Sequence, residues 1–228
     1  MATQNASKWG YVRVLSQASH AAARGASTGQ ASSNPATALS NSFSYVAASG
    51  GRGLAYSIYR TFIYFDTSGI TGTVTAASVN VKGATNAGSR GILVPSSAFN
   101  GDGANNLIGD DYNNLDFNTN YASSFTTWNT STNNSITLAA TALSHIQSNN
   151  YFICALIDYD HDYSNSDPGV EESEIWGIGF GTTPYLDYTV SAPSGPANID
   201  SVSGVDASNI SNINGVSYSS ISSFNGVS

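Results

Sequence analysis

Three aspartates lie close together at the end of an apolar segment: Asp158, Asp160 and Asp162. They follow residues 151–157, whose continuous apolar character predicts a buried strand, and alternation along that strand would give the three carboxylates one parity. Carboxylates this close repel one another unless a cation or hydrogen-bond donors neutralise them, and Ca²⁺ takes oxygen ligands of this kind. The spacing lacks the glycine and the distal glutamate of an EF-hand loop. Two interpretations therefore stay open: a bound Ca²⁺, or loop carboxylates that are solvated or hydrogen-bonded.

Several aromatic residues lie in or next to polar segments, where an aromatic side chain can bind a sugar by stacking on its apolar ring face. The five candidates are Tyr112, Tyr121, Trp128, Tyr159 and Trp176. The alternative is structural, because large aromatic side chains also dominate cores and anchor loops to them. The sequence favours the structural role and keeps a glycan site as the second interpretation.

Catalytic motifs are missing from this sequence. Its histidines, His20, His145 and His161, are far apart along the chain, and neither Gly-x-Ser-x-Gly nor His-Glu-x-x-His occurs. The glutamates of segment 171–174 lie in a polar region, where solvated side chains are expected rather than a carboxylate pair for glycoside hydrolysis. Cys154 stands among apolar residues, so it is predicted to be a buried thiol and not a nucleophile. We therefore expect a protein that is not an enzyme.

The charge and composition of the chain exclude several classes of partner. Only 10% of its 228 residues are charged, against about 25% in average domains, and the net charge is −8. The seven Lys and Arg residues are scattered over an acidic chain, which predicts no binding to nucleic acid. No run approaches the roughly 20 apolar residues of a membrane helix, so no membrane insertion is expected. Abundant hydroxyl, amide and aromatic side chains with few charges are typical of an all-β protein at an extracellular or virion surface.

The N-terminal residues 1–7 are polar and lack the apolar stretch of a signal peptide. A surface-type composition without a secretion signal fits a protein that is made in a host cytoplasm and released by lysis, as virion proteins are. A mature secreted fragment, or export by another route, is the alternative. The expected location is therefore the virion surface, with an extracellular location as the second interpretation.

Two apolar segments form the predicted centre of the fold, residues 60–66 and 151–157. In the first, large apolar side chains occupy both parities, which is typical of a strand buried between two layers. Residues 77–82 alternate between apolar and polar side chains and predict a half-buried partner strand. The remaining strand patterns are at residues 9–15, 42–48, 92–94, 136–138, 175–180 and 185–190.

Three further segments complete the prediction for a domain over residues 8–190. Residues 139–146 carry apolar side chains three and four apart and predict one or two helical turns. Residues 18–29 are small and alanine-rich; they are expected to be a loop, with one short helical turn as the alternative. The irregular stretch 96–134 contains many aromatic residues, so it is expected to pack onto the core. About eight strands separated by turn signals predict an all-β fold, a two-sheet antiparallel sandwich with jelly-roll topology.

The C-terminal sequence is a repeat with a period of eleven residues, joined to the rest by a Pro-, Gly- and Ser-rich linker at 191–197. Three copies of Ile-x-x-(Val/Ile/Phe)-x-Gly-Val occupy residues 198–228. Units this small cannot form a core alone, so we expect them to stack on one another, on sister chains or on another protein. A disordered tail is the alternative. The apolar residues expected to carry the assembly are Ile199, Val202, Ile210, Ile213, Ile221 and Phe224.

The central segments resemble a known family of modules. Arg-x-Phe-Ile-x-Phe-Asp, then a turn of small residues with an isoleucine, then Val-x-x-Ala-x-Val-x-Val, together resemble the jelly-roll modules of the DNRLRE type. The residues that carry the resemblance are Arg60–Asp66, Ser68, Ile70 and Val74–Val81, with thinner matches at Asp160–Tyr163 and Pro184–Tyr188. Such modules occur in bacterial surface proteins and in structural proteins of tailed bacteriophages, and the Asn-Gly-Val repeats look like tails of phage virion proteins.

The resemblance implies a non-enzymatic structural protein on the virion of a tailed phage: a capsid decoration, head-fibre or tail-associated surface protein. Its expected partners are other virion proteins and sister copies in a homo-oligomer. The alternative is a carbohydrate-binding adhesin that contacts host-surface glycans and uses the repeats as a spacer. Ca²⁺ at the three aspartates is the one cofactor that these interpretations include.

Overall fold

Strands account for most of the regular structure in this protein. A computed structural model describes residues 1–33, 39–50, 53–88, 90–179 and 182–191, and, in the C-terminal repeats, residues 201, 202, 205, 206, 210, 212, 213, 216, 217 and 221. Across these residues the architecture is predominantly antiparallel β-sheet, which confirms the all-β prediction. The strands before residue 191 are β1 (Ala2–Asn5), β2 (Lys8–Gln17), β3 (Gln30–Ser33), β4 (Leu39–Gly50), β5 (Gly53–Asp66), β6 (Val74–Ala87), β7 (Gly91–Pro95), β8 (Asn133–Thr137), β9 (Tyr151–Asp158), β10 (Glu172–Ile178) and β11 (Tyr185–Val190).

Helical elements are short and few among the described residues. The α-helices are α1 (His20–Arg24) and α2 (Ala140–Ser148), and single turns of other helical types lie at Phe99–Gly101, Gly109–Asn113 and Tyr159–Tyr163. The helical turns predicted over residues 139–146 are confirmed by α2. Within this part of the chain, no helix combines the length and the apolar character needed to cross a membrane.

β5 is the strand around which the larger part of the sheet is built. One of its edges pairs with β2 over residues 56–64. The other edge pairs first with β4, over residues 53–59, and then with β9, over residues 61–66. β9 continues the sheet to β7, and β2 continues it to β3. Arg60 therefore lies at the point where β4 gives way to β9.

β6 connects the remaining strands to this sheet. Its first part, residues 74–80, pairs with β11, and its last part, residues 83–87, pairs with β10. β8 pairs with residues 78–82 of β6, while β10 also pairs with β4 and β11 with β1. Gly83 lies where β6 changes partner, and a Cβ there would lie 1.8 Å from the carbonyl oxygen of Asn129, so the close approach of the two backbones requires glycine.

Two apolar clusters lie on opposite faces of β5 and β9. Ile63 and Phe65 face the cluster shared with β6, β8 and α2, while Ile58 and Phe62 face the cluster shared with β2, β7 and the loops. All four side chains are fully buried, and burial of each contributes about 1.5–3 kcal/mol. The two-sided burial predicted for both central segments is therefore confirmed.

The long segment between β7 and β8 packs onto both clusters. Phe99, Leu107 and Tyr112 join the cluster on the loop-covered face of the sheet. Tyr121 and Trp128 join the cluster that β6 and β8 cover. The prediction that this aromatic-rich segment packs onto the core is confirmed, and it explains how an antiparallel sheet comes to be buried on both faces.

Three elements differ from what the sequence predicts. β1 and β3 have polar sequences without apolar alternation, and backbone pairing holds them at the edges of β11 and β2. The sheet therefore includes residues before the predicted boundary at residue 8. The loop favoured over residues 18–29 is wrong at α1, where the alternative of one short helical turn is correct, and the hydroxyl of Ser19 caps the helix by accepting a hydrogen bond from the backbone N–H of Ala22.

The described residues of the C-terminal repeats form two equivalent hairpins. β12 (Ser201–Val202) pairs with β13 (Val205–Asp206), and β14 (Asn212–Ile213) pairs with β15 (Val216–Ser217). Corresponding residues of the two hairpins are eleven positions apart, so the sequence repeat is also a structural repeat.

Apolar side chains of the repeats are accessible to solvent. Val205 is 48% exposed and Val216 is 51% exposed. Four of the six predicted assembly residues are described and partly exposed: Val202, Ile210, Ile213 and Ile221. The other two, Ile199 and Phe224, lie outside the described residues.

Candidate functional site

The chain turns where β9 ends, and this turn positions all three predicted aspartates. Residues Tyr159–Tyr163 form one π-helical turn. The carboxylate of Asp158 caps the turn by accepting hydrogen bonds from the backbone N–H groups of His161 at 2.7 Å and Asp162 at 3.3 Å. A helical turn lacks the alternation of a strand, so Asp158, Asp160 and Asp162 do not share one face. Their carboxylates therefore have different surroundings.

Asp162 forms a buried ion pair with Arg60. Nε and Nη2 of the guanidinium donate to the two carboxylate oxygens at 2.7 and 2.6 Å, and both side chains are 0% exposed. The guanidinium also donates to the carbonyl oxygens of Tyr112 at 2.7 Å and Arg24 at 2.9 Å. Bidentate geometry with satisfied donors is the condition under which two buried charges are tolerated. The pair ties β5, α1, the long loop and the π-helical turn together.

Asp160 forms a second ion pair, with Arg90, nearer the surface. Nε of Arg90 donates to Oδ1 of Asp160 at 2.9 Å, and the two side chains are 41% and 30% exposed. The guanidinium carbon of Arg90 also lies 4.3 Å from the ring centroid of Tyr159, which stacks on Tyr163. Solvent screening limits a pair of this kind to about 0–1 kcal/mol.

The calcium site predicted at Asp158, Asp160 and Asp162 does not fit this arrangement. Oxygens from the three carboxylates do not converge within 4.8 Å of one another, and two of the three carboxylates have an arginine as counter-ion. Asp158 uses its carboxylate as the cap of the turn. The arrangement favours the alternative interpretation, hydrogen-bonded and ion-paired acids, over a calcium site at these residues.

Most of the predicted glycan-binding aromatics are core residues. The four buried ones are Tyr112 (0% exposed), Tyr121 (3%), Trp128 (4%) and Trp176 (0%). Trp128 and Trp176 stack on each other with ring centroids 5.2 Å apart. The fifth, Tyr159, is partly exposed but has Arg90 over its ring. Because a buried ring cannot stack on a sugar, the glycan prediction is wrong at the four buried residues, and their role is structural.

A different set of ionisable side chains does converge. One ligand-type atom from each of His161, Glu172 and Glu174 lies within 4.8 Å of the other two. The glutamates are two residues apart in β10, which places them on one face of the strand, and the register with β4 sets Glu174 opposite Tyr45. The ring of Tyr45 packs on the imidazole of His161 with centroids 4.3 Å apart. We call these four residues the His-Glu cluster.

A backbone hydrogen bond orients the imidazole of His161. Its Nδ1 lies 2.7 Å from the carbonyl oxygen of Ser166, and because a carbonyl only accepts, Nδ1 is the protonated nitrogen. Nε2 then faces a carboxylate oxygen of Glu172 at 3.6 Å. In the neutral ring Nε2 presents a lone pair to that carboxylate, and a second proton or a cation is needed to make the contact favourable.

Two buried oxygens of the His-Glu cluster have no hydrogen-bond partner among the described residues. They are Oε2 of Glu174 and the phenol oxygen of Tyr45. Burial, followed by the hydrogen bond and the charge of Asp158, raises the pKa of Glu174 to about 9. Burial, followed by the charge of Asp167, raises the pKa of Tyr45. Unpartnered buried polar atoms are rare in folded proteins, so two of them in one cluster indicate a site rather than a packing detail.

The sequence-based prediction of solvated glutamates at 171–174 is wrong for Glu174. β10 begins at Glu172, ahead of the predicted start at residue 175, and Glu174 is buried. A signal for this lies in the alternation, because Glu172, Glu174 and Trp176 share one parity. A tryptophan on that parity indicates a strand face that is turned toward the core.

A separate cleft of about 600 Å³ lies beside β8. Hydroxyl and amide side chains line most of it, together with the partly buried ring of Phe125. Among the polar lining residues are Ser124, Thr127, Asn129, Asn134 and Thr137. Phe125 stacks on the buried Trp176 with centroids 5.5 Å apart, so the ring is held in place at the cleft. Ile136, Leu138 and Ala139 also line the cleft, so its hydrogen-bonding groups lie beside apolar surface, and such a mixed lining suits a small ligand such as a sugar.

No protein-family model matches this chain, and no curated protein sequence matches it either. The function is therefore inferred from the residues and their geometry. Three features carry that inference: the hairpins of the repeats, the cleft beside β8 and the His-Glu cluster.

Proposed function

We propose that this protein is a non-enzymatic structural protein of a tailed-phage virion, in which a jelly-roll domain is displayed at the surface and the C-terminal repeats attach it. The eleven-residue structural repeat carries this proposal. Its two hairpins, β12–β13 and β14–β15, have the same register and expose equivalent valines, Val205 and Val216. Sister chains and other virion proteins are the partners, as in a decoration, head-fibre or tail-associated protein.

Hairpins of this size need a partner surface. Each ladder contains only two residue pairs, and an isolated two-stranded hairpin is at best marginally stable in water. Burying one exposed valine side chain contributes about 1.5–3 kcal/mol, so contact with a matching surface can supply what the hairpin lacks. Sister chains offer the same apolar columns at the same spacing, which favours a homo-oligomer that stacks repeat on repeat.

The rest of the chain supports a structural role. Side chains from β6, β8 and β11 meet those of β5 and β9 in one apolar cluster, as the facing sheets of a jelly roll do. The thiol of Cys154 is fully buried in that cluster, and burial raises its pKa, which suits packing rather than nucleophilic attack. His20 and His145 bind protein groups: the carbonyl oxygen of His161 and the phenol of Tyr121.

The assembly proposal predicts that Val216→Asp weakens self-association of the full chain by about tenfold or more, because it places a charge in the stacked apolar column. Sedimentation velocity over a series of protein concentrations measures this. Asn212→Asp is the matched control, since it adds the same charge to an exposed polar position of the same hairpin. Equal association constants for the two variants, or a wild-type chain that is monomeric at every concentration, would contradict the proposal.

The cleft beside β8 favours glycan binding as a second candidate function. It is lined by hydroxyl and amide groups, which can pair with sugar hydroxyls, and Phe125 offers a ring face. In this account the site lies at the cleft and not at the aromatics that the sequence singles out. The repeats then act as a spacer between the sandwich and its point of attachment.

Glycan binding at the cleft predicts that Ser124→Trp abolishes binding on a glycan array. Ser124 is exposed, so the larger side chain fills the cleft without removing a core contact. Tyr159→Ala is expected to bind as the wild type does, since Tyr159 does not line the cleft. A wild-type chain that binds no glycan, or a Ser124→Trp variant with unchanged binding, would rule out this function.

A further inference from the structure

We propose that His161, Glu172 and Glu174 bind one divalent transition-metal ion, and that Zn²⁺ is the ion that best matches their chemistry. The ion would join the π-helical turn after β9 to the first residues of β10. This inference is independent of the proposed virion function, because it uses no residue of the repeats. It also differs from the calcium prediction in both the ligands and the ion.

The spacing of the ligand atoms suits an ion of this size. Zn²⁺ bound at about 2.0–2.2 Å places neighbouring ligands of a tetrahedron roughly 3.4 Å apart. Nε2 of His161 and Oε2 of Glu172 are 3.6 Å apart, and atoms of all three residues lie within 4.8 Å of one another. The side chain of Glu172 is 36% exposed and has the freedom to close the remaining gap.

The donor set selects a transition metal over calcium. Ca²⁺ takes about six to eight oxygen ligands, whereas the His-Glu cluster offers an imidazole nitrogen and two carboxylates. Three protein ligands that include an imidazole match a tetrahedral Zn²⁺ site with its fourth position open to water. Mn²⁺ accepts the same donors but binds nitrogen and oxygen sites more weakly than Zn²⁺.

The groups around the three ligands are arranged as they are around metal-bound histidines. The Nδ1–H of His161 donates to the carbonyl oxygen of Ser166, which fixes the tautomer with Nε2 available. Oε2 of Glu174 is buried and has no hydrogen-bond partner among the described residues, and a cation bound there would satisfy this oxygen. The phenol of Tyr45, likewise without a partner there, belongs to a ring that packs on the same imidazole.

A second proton on His161 is the competing explanation, since it would give an ion pair with Glu172. That ion pair involves Glu172 alone and leaves Oε2 of Glu174 without a partner, so it accounts for fewer of the observations. The two explanations also differ in a measurable way. The ion pair stabilises the protein in the absence of metal, whereas the metal site stabilises it only when the ion is added.

Thermal unfolding of the full chain, treated with chelator and then mixed with ZnCl₂, tests the proposal. Zn²⁺ at about 100 times its Kd is expected to raise Tm by roughly 5 °C or more, and calorimetric titration is expected to give one ion per chain. Glu172→Gln should bind Zn²⁺ at least about tenfold more weakly, because it removes one ligand at unchanged size, and at the same Zn²⁺ concentration it should lose about half of this shift or more. Glu171→Gln is the matched control: it is adjacent and exposed, it removes the same charge, and it should keep the full shift.

A Tm that does not respond to Zn²⁺ would overturn the proposal, and so would an equal response in Glu172→Gln and Glu171→Gln. Stabilisation by Ca²⁺ without stabilisation by Zn²⁺ would overturn it as well. His161→Gln provides a second variant, and wild-type affinity for Zn²⁺ in this variant would contradict the assignment of the imidazole. Circular dichroism of each variant at room temperature separates loss of the ion from loss of the fold.

Discussion

Asp162→Ala is expected to lower the free energy of unfolding by about 3–5 kcal/mol. The substitution removes the counter-ion of Arg60 and leaves its guanidinium charged and buried without the two carboxylate contacts at 2.6 and 2.7 Å. The same guanidinium donates hydrogen bonds to the carbonyl oxygens of Tyr112 and Arg24. A shift of Arg60 would therefore also weaken the attachment of the long loop and of α1. Equilibrium unfolding in urea measures the change.

Asp160→Ala is the matched control for this prediction. It also removes an aspartate carboxylate, but one whose ion pair with Arg90 is partly exposed. The free energy of unfolding should therefore fall by no more than about 1 kcal/mol. Replacing both members of the buried pair, with Arg60→Met and Asp162→Leu, is expected to recover most of the loss, because no charge stays buried. Equal losses for Asp162→Ala and Asp160→Ala would show that Asp162 is solvated.

Trp176→Ala is expected to cost about 3–5 kcal/mol, because it leaves a large cavity in a close-packed core. The indole is 0% exposed and stacks on Trp128 with centroids 5.2 Å apart and an interplanar angle of 7°. Its Nε1 donates to Oδ1 of Asn86 at 2.8 Å, so the substitution also leaves a polar atom without its partner. Thermal and urea-induced unfolding report the loss.

Tyr159→Ala separates the core role of Trp176 from a surface role. Its partly exposed ring contacts Arg90 and Tyr163, and its loss should cost about 1 kcal/mol. The contrast matters for any glycan-binding experiment, because a Trp176→Ala variant that fails to bind reports a damaged core. If the two variants lost the same stability, the buried stacking of Trp176 and Trp128 would not be the main support of this region.

The apolar strands of the fold can be predicted from the sequence because the positions of large apolar side chains indicate which strand faces are buried. Residues 60–66 and 151–157 carry large apolar groups on both parities, and the structure buries both faces of β5 and β9. Edge strands carry no such signal. β1 and β3 are polar and form only because the backbones of β11 and β2 offer free edges, and a pairing partner far along the chain cannot be inferred from local pattern.

The candidate site was less accessible to sequence reasoning, for two physical reasons. The three aspartates lose their common parity because the strand ends at Asp158, and a π-helical turn has no distinct sequence pattern. The partners of Asp160 and Asp162 are arginines 70 and 102 residues away, so the ion pairs depend on the tertiary fold. The two glutamates of the His-Glu cluster could have been found, since Trp176 shares their parity and indicates an inward face.

If the C-terminal repeats assemble this protein, the number of chains per particle must fall when they are removed. Light scattering of the full chain beside residues 1–191 measures this. Circular dichroism establishes first that the shortened chain keeps its β-sheet signal. We expect the full chain to be a trimer or larger and the shortened chain to be monomeric, because the shortened chain lacks the exposed Val205 and Val216. The same number of chains per particle in both samples, whether one or several, would show that the repeats do not assemble the protein.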